Sequence, residues 1–231
     1  DALPICLKSN SATKTLKFFK TIVIFARKCG IMSHDPFVNH HFHLEYVDRG
    51  FLTDEEIQVI MKKEFPTQRL EQVRDVFIFS CFCGLAYIDV ANLKEDNIVE
   101  LDEKKWIMTK RQKTNIPSNI LLLDIPLKII DKYKGKTKGG KLLPILSNQK
   151  MNSYLKEIAD VCGIKKTLTY HVARHTFATM TLSKGVPIES VSKMLGHTNI
   201  KTTQIYARIT NKKIEEDMTK LAEKLESFKI I

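Results

Sequence analysis

Apolar residues along most of this chain recur three or four positions apart, the period of a helix that buries one face. From Ser11 to Lys28, Leu16, Phe19, Ile22, Val23 and Ala26 keep that spacing, and Gly30 stands where a left-handed C-terminal cap would fall. The stretch 31–50 has little periodicity, contains Pro36 and four of the seven histidines, and reads as a linker, with a domain boundary near residue 46. Thr53 and Glu56 form a capping-box pattern ahead of Ile57, Ile60 and Met61, so a helix is expected to begin there. A second helix, from about Arg69 to Cys83, is so apolar in its second half that it reads as a core element.

The period then changes. Short segments at Ile98–Leu101, Trp106–Thr109 and Ile116–Leu123, separated by the polar turns DEKK and RQKTN, predict a small antiparallel sheet. Helices return at Pro126–Lys134, Asn148–Val161, Tyr170–Lys184, Ile188–Leu195, Lys201–Ile209 and Lys212–Phe228, punctuated by Gly163, Gly185 and Gly196. The predicted class is mainly α with a small antiparallel β-sheet (α+β), without an internal repeat or a low-complexity tract.

Composition adds a partner to this picture. The 231 residues are 43% hydrophobic, enough for a sizeable core, and the net charge of +11 favours a polyanion. The five cysteines are odd in number, and Cys81 and Cys83 lie in an apolar run that suits buried thiols better than disulfides, which points to a reducing, cytoplasmic setting. No apolar run reaches the roughly 18 residues of a membrane helix, and no signal peptide is visible; the first residue, Asp1, makes the chain read as a fragment. The cluster NHHFH at 39–43 lacks a cysteine partner and does not read as a zinc site, so no metal and no cofactor is expected.

The candidate chemistry is concentrated in YHVARHTFATMTLSKG and VSKMLGHTNIKTTQIYARI. His171 and Arg174 are three apart on one predicted helix, so both can project toward a single phosphate, to which arginine offers a planar fork of donors. Gly196 ends the next helix and would present His197 at a terminus. Tyr206 follows nine residues later on a short helix expected to be capped by Thr198 or Asn199. A phenol with a pKa near 10 is a poor nucleophile at neutral pH and needs cationic and proton-accepting neighbours. His175 reads as a core-facing residue beside Arg174.

These segments resemble the signature of the tyrosine recombinases, or phage integrase family, in which His-x-x-Arg is followed by Leu-Gly-His and then by a nucleophilic tyrosine. The resemblance covers about residues 46–231 and implies the catalytic core fold of that family, with 1–45 a remnant of a helical core-binding (SAM-like) DNA-binding domain and its linker. It implies DNA strand cleavage and rejoining through a phosphotyrosine at Tyr206, with Arg174, His171 and His197 on the scissile phosphate. The family places a lysine on a hairpin as general acid, here Lys113, with Lys110 and Arg111 close by; the alternative is an exposed turn lysine. The implied partner is double-stranded DNA at specific recombination sites, with a dimer per site and a tetramer in the synapse; accessory DNA-bending proteins are an expected addition and no membrane is. The last helix, with Ile214, Met218, Leu221 and Leu225 on one side, is expected to dock on a neighbouring protomer.

One position departs from the family. Where Gly-Leu-Arg is usual, GLAYID has Ala86, with Asp89 retained to orient neighbours, and integrases of conjugative transposons resemble this chain in that departure. Arg74, on the helical face of Leu70, Phe77 and Cys81, is the candidate replacement; its alternative is a structural ion pair with Glu71 or Asp75. Two other functions remain open: a type IB topoisomerase, which would relax supercoils without a specific site, and a DNA-binding regulator that has lost catalysis through Ala86.

Overall fold

A computed structural model describes residues 9–45, 50–137, 139–207 and 211–225, and the chain divides into two compact units, Asp1–Asp48 and Arg49–Ile231. The proposed boundary at residue 46, the end of the helix predicted to Ile209 and the last residues of the one predicted to Phe228 lie outside the described residues.

In the first unit, α1 (Ser9–Lys28) buries only Val23 of its apolar positions. The following segment folds back along it. Asn10 and Glu45 exchange side-chain to backbone hydrogen bonds, the Thr13 hydroxyl donates to the His43 carbonyl, and Phe37 stands edge-on to Phe19.

The second unit begins at α2 (Asp54–Lys62), whose capping box closes with both reciprocal bonds between Thr53 and Glu56, as the sequence pattern required. Next comes α3 (Gln68–Cys83), with Val76, Phe77, Phe79 and Cys81 fully buried. Gly84 ends it at φ 67°, and a Cβ there would lie 2.3 Å from the Phe177 ring, so only glycine allows this approach. A short helix, α4 (Tyr87–Ala91), follows where none was expected; five residues are too few to display a helical period.

The sheet is antiparallel in the order β1 (Ile98–Leu101), β2 (Lys104–Lys110), β3 (Pro117–Leu121). Asp102 and Glu103 both have positive φ, the geometry of a two-residue turn whose twist matches the strands. Ile107 pairs with Ile120, and both are buried, which fixes the register. The remaining helices are α5 (Asp124–Tyr133), α6 (Asn148–Val161), α7 (Tyr170–Ser183), α8 (Ile188–Met194), α9 (Lys201–Gln204) and α10 (Asn211–Leu225). Thus the second unit is mainly helical with a small three-stranded antiparallel sheet, the class that the pattern predicts.

Two cores organise this unit. The larger wraps α3 with residues from α2, α5, α6, α7 and the sheet, and the Ser80 and Tyr170 hydroxyls hydrogen-bond inside it. The smaller joins Phe177 and Ala178 of α7, Val191 and Leu195 at α8, and Tyr206. Burial at the roughly 25 cal/mol per Å² typical of apolar surface makes such a tyrosine a packing element.

Among the described residues, no helix is long and apolar enough to cross a membrane, and no group of three or more His, Cys, Asp or Glu could hold a metal ion.

Candidate active site

The site forms where α7, the end of α8, the α9 turn and the β2–β3 hairpin meet the C-terminal end of α3. Arg174 is 3% exposed on α7, and its guanidinium donates to the carbonyls of Gly84 (2.8 Å) and Leu195. These bonds tie the ends of α3 and α8 together, because a helix end leaves its last carbonyls without intrahelical partners. Burial and the neighbouring Arg111 pull the Arg174 pKa down to about 10, while Tyr206 and Asp89 act the other way, so the group is still a cation at neutral pH.

His197 follows Gly196, which takes a positive φ of 61°. Its Nδ1 lies 2.8 Å from the Thr203 hydroxyl, and Thr203 is fully buried. Burial, Arg174 and Arg111 lower its pKa to about 4, so the ring is neutral at pH 7. When Nδ1 accepts from Thr203, Nε2 carries the hydrogen and can donate it.

Tyr206 is 9% exposed. It does not lie on the helix predicted around it: α9 is only Lys201–Gln204, and Tyr206 comes two residues later, with its amide donating to the Thr203 carbonyl. The N-cap is Ile200 rather than Thr198 or Asn199, although the Asn199 side chain accepts from the Lys201 amide. One turn of helix is all that fits between Gly196 and the second core, into which Tyr206 turns.

The Tyr206 ring stands edge-on to His175 (4.9 Å between centroids, 87°), and His175 stands against His171 (4.5 Å). Half-buried His175 is therefore a bridge between Tyr206 of the smaller core and the exposed His171. Its signal was the four-residue spacing from His171, which puts both rings on one helical face.

The hairpin closes over Gly196. The Thr114 hydroxyl donates to the Gly196 carbonyl (3.1 Å), and Arg111 Nη1 reaches the same oxygen at 3.5 Å. Buried Asp89 accepts the Gln112 amide at 2.9 Å, so this acid does orient a neighbour: it holds the hairpin. Lys113 is exposed in the turn between those anchors.

Arg74 is not brought to this site. Its guanidinium contacts Asp75 (2.8 Å), the Lys63 carbonyl (2.8 Å) and Glu71 (3.4 Å). It stands ten residues before Gly84 on α3, roughly 15 Å along the axis at 1.5 Å per residue. Lys132 and Tyr133 of α5 also bind Asp75, so the buried carboxylate, and not an external phosphate, accounts for this arginine. Arg111, Thr203 and His175 are the residues that sequence reasoning left without a role here.

With this geometry in hand, the matches to known proteins are specific. The phage integrase family profile matches residues 51–213, and the chain belongs to that family. It is 30% identical over 177 residues to a tyrosine recombinase of Pseudothermotoga lettingae, covering 74% of this chain and 60% of that protein. It is also 30% identical over 178 residues to the tyrosine recombinase XerA of Pyrococcus furiosus, covering 71% of this chain and 59% of the relative. The chain therefore spans about three-fifths of the length of these relatives. Among solved structures, a lambda integrase(75-356) dimer bound to a core site superposes with a TM-score of 0.72 at 17% identity, over 88% of this chain and 76% of that one. The Tn1549 transposon integrase in complex with circular intermediate DNA superposes with a TM-score of 0.71 at 15% identity, over 92% and 80%. At these identities the likeness defines the fold.

Proposed function

We propose that this chain carries the strand-breaking centre of a site-specific DNA recombinase that integrates or excises a mobile element. The observation that supports this most directly is the seating of Tyr206 in one site with Arg174, His197 and the His175–His171 pair. In this reading the Tyr206 oxygen attacks the scissile phosphorus, the bond from phosphorus to the 5′-oxygen breaks, and a 3′-phosphotyrosyl bond forms. The phenol proton leaves to a neighbouring histidine as base, and Lys113, exposed in the hairpin turn, gives a proton to the departing 5′-oxygen. Attack by a 5′-hydroxyl reverses the sequence and rejoins DNA, so no nucleotide cofactor is consumed. Arg174 and neutral His197 act as donors to the phosphate oxygens as charge gathers in the transition state.

Net charge of +11 supports duplex DNA as the partner. Exposed Met218, Leu221 and Leu225 on α10 support docking on a neighbouring protomer, in a dimer per site and a tetramer in the synapse; the side chain of Ile214 lies outside the described residues.

The test uses a pool of random-sequence duplexes, each with one nick that lets the cleaved end diffuse away. Wild type is expected to become covalently linked to DNA, with an enriched sequence among the recovered duplexes, and Tyr206→Phe is expected to yield none. Wild type that binds the pool without any covalent product would overturn the proposal in favour of a DNA-binding regulator. Relaxation of supercoils by the monomer, without an enriched site, would favour a topoisomerase.

A further inference from the structure

The missing arginine at Ala86 leaves the site with one clamp fewer than its family, and the vacancy has a neighbour. Ala86 lies two residues beyond Gly84, whose carbonyl Arg174 holds, and it precedes α4, which carries Asp89. Asp89 accepts the backbone amide of Gln112, the residue after Arg111. The acid that follows Ala86 thus fixes the hairpin that bears another arginine.

Arg111 itself is fixed by its backbone. Its amide donates to the Ile116 carbonyl (2.9 Å) and its carbonyl accepts from Asn115 (2.7 Å), closing the turn. Its side-chain stem passes over Gly196, where an added Cβ would lie 3.2 Å from the Arg111 Cβ. The guanidinium is poorly satisfied by contrast. Nη1 reaches the Gly196 carbonyl only at 3.5 Å, and the buried Nε has no hydrogen-bond partner among the described residues. A buried charged donor in that condition is costly unless an acceptor arrives.

Its electrostatic setting names the acceptor. Arg111 lowers the pKa of both Arg174 and His197, so three donor groups crowd together while the buried carboxylate that acts on Arg174, Asp89, is already engaged with Gln112. Positive charge gathered in this way is stabilised by an anion with several oxygens.

We propose that Arg111, from the β2–β3 hairpin, supplies the phosphate clamp that Ala86 cannot, its guanidinium binding a non-bridging oxygen of the scissile phosphodiester opposite Arg174. The inference rests on the phosphotyrosyl reading. It assigns Arg111 a catalytic contact, places Lys113 as the acid two residues along the same turn, and gives Gly196 the role of making room for the arginine stem.

In the nicked-duplex assay, Arg111→Ala and Arg111→Lys are both expected to lower covalent trapping about 10²–10³-fold, because lysine lacks the planar fork. Free guanidinium added at millimolar concentration should restore part of the trapping by Arg111→Ala and none by Arg111→Lys, whose side chain fills the space. In a Tyr206→Phe background, which does not cleave, Arg111→Ala should flatten the salt dependence of binding to an intact random duplex by about one unit of slope. Trapping by Arg111→Ala at the wild-type level overturns the inference and leaves the phosphotyrosyl reading intact. So does lost trapping that guanidinium does not restore together with an unchanged slope, the pattern of a structural role. If wild type itself forms no covalent product, the phosphotyrosyl reading falls, and the slope alone decides whether Arg111 holds a phosphate.

Discussion

The two ends of α3 treat arginine in opposite ways. At its first half, Arg74 is matched by Asp75 and Glu71, and Lys132 and Tyr133 of α5 complete the network around Asp75. At its other end, Arg174 lies close to Arg111 and to Asp89, a carboxylate that already serves a backbone amide. One group of charges is closed upon itself by carboxylates; at the other the Arg174 guanidinium is bonded to backbone carbonyls. A buried arginine therefore points to an external anion only after the local acids have been assigned, and Arg74, whose acids are Asp75 and Glu71, does not pass that condition.

Removing an acid from the closed end should have the largest effect on stability. Asp75→Ala leaves Arg74, Lys132 and the buried Tyr133 hydroxyl without their shared acceptor, and about 3–5 kcal/mol of unfolding free energy should be lost, as for other broken buried charge networks. Denaturant unfolding measures this; a loss well under 1 kcal/mol would show that the network is solvated and the contrast overstated. At the open end the effect should be on chemistry. Arg174→Ala is expected to reduce covalent trapping by about 10²–10³-fold, and to destabilise by about 1–3 kcal/mol because the Gly84 and Leu195 carbonyls lose their donor.

Smaller changes sharpen the comparison. Gly196→Ala forces a side chain into a positive-φ position and against the Arg111 stem, so about 1 kcal/mol should be lost, with trapping falling further than stability explains. Denaturation and trapping measured on one preparation would separate the two. A further effect concerns pH. His197 is held near 4, below its ordinary 6.5, so the unfolded chain binds this proton more readily. Stability should fall as pH drops from about 6.5 toward 4, with this contribution gone below 4. Melting temperatures across that window should show a shallower slope in His197→Gln; an identical slope would mean that His197 titrates normally. Thr203→Val, which removes the hydroxyl from Nδ1, should cost about 1 kcal/mol.

Much of the architecture was legible because the period of the pattern is a direct consequence of burial. The capping box at Thr53, the strand Ile98–Leu101 and the helix Asn148–Val161 occur at the expected residues. The five-residue α4 and the single turn of α9 were not legible, since elements shorter than two turns are held by what they pack on. The candidate site residues divide along the same line. Tyr206, Arg174, His171 and His197 could be named from spacing and resemblance, whereas the exclusion of Arg74, the bridge through His175, the Thr203 contact and the docking of Arg111 beside Gly196 are long-range pairings.

By itself the sequence determined the class of fold, the basic surface and the order of the chemical groups, because each is written in local period, composition or a fixed interval. Only the tertiary structure decided which arginine faces which acid. Residues 74, 89, 111 and 174 are far apart in the chain, and their charges interact through distances of a few ångströms that no local pattern encodes.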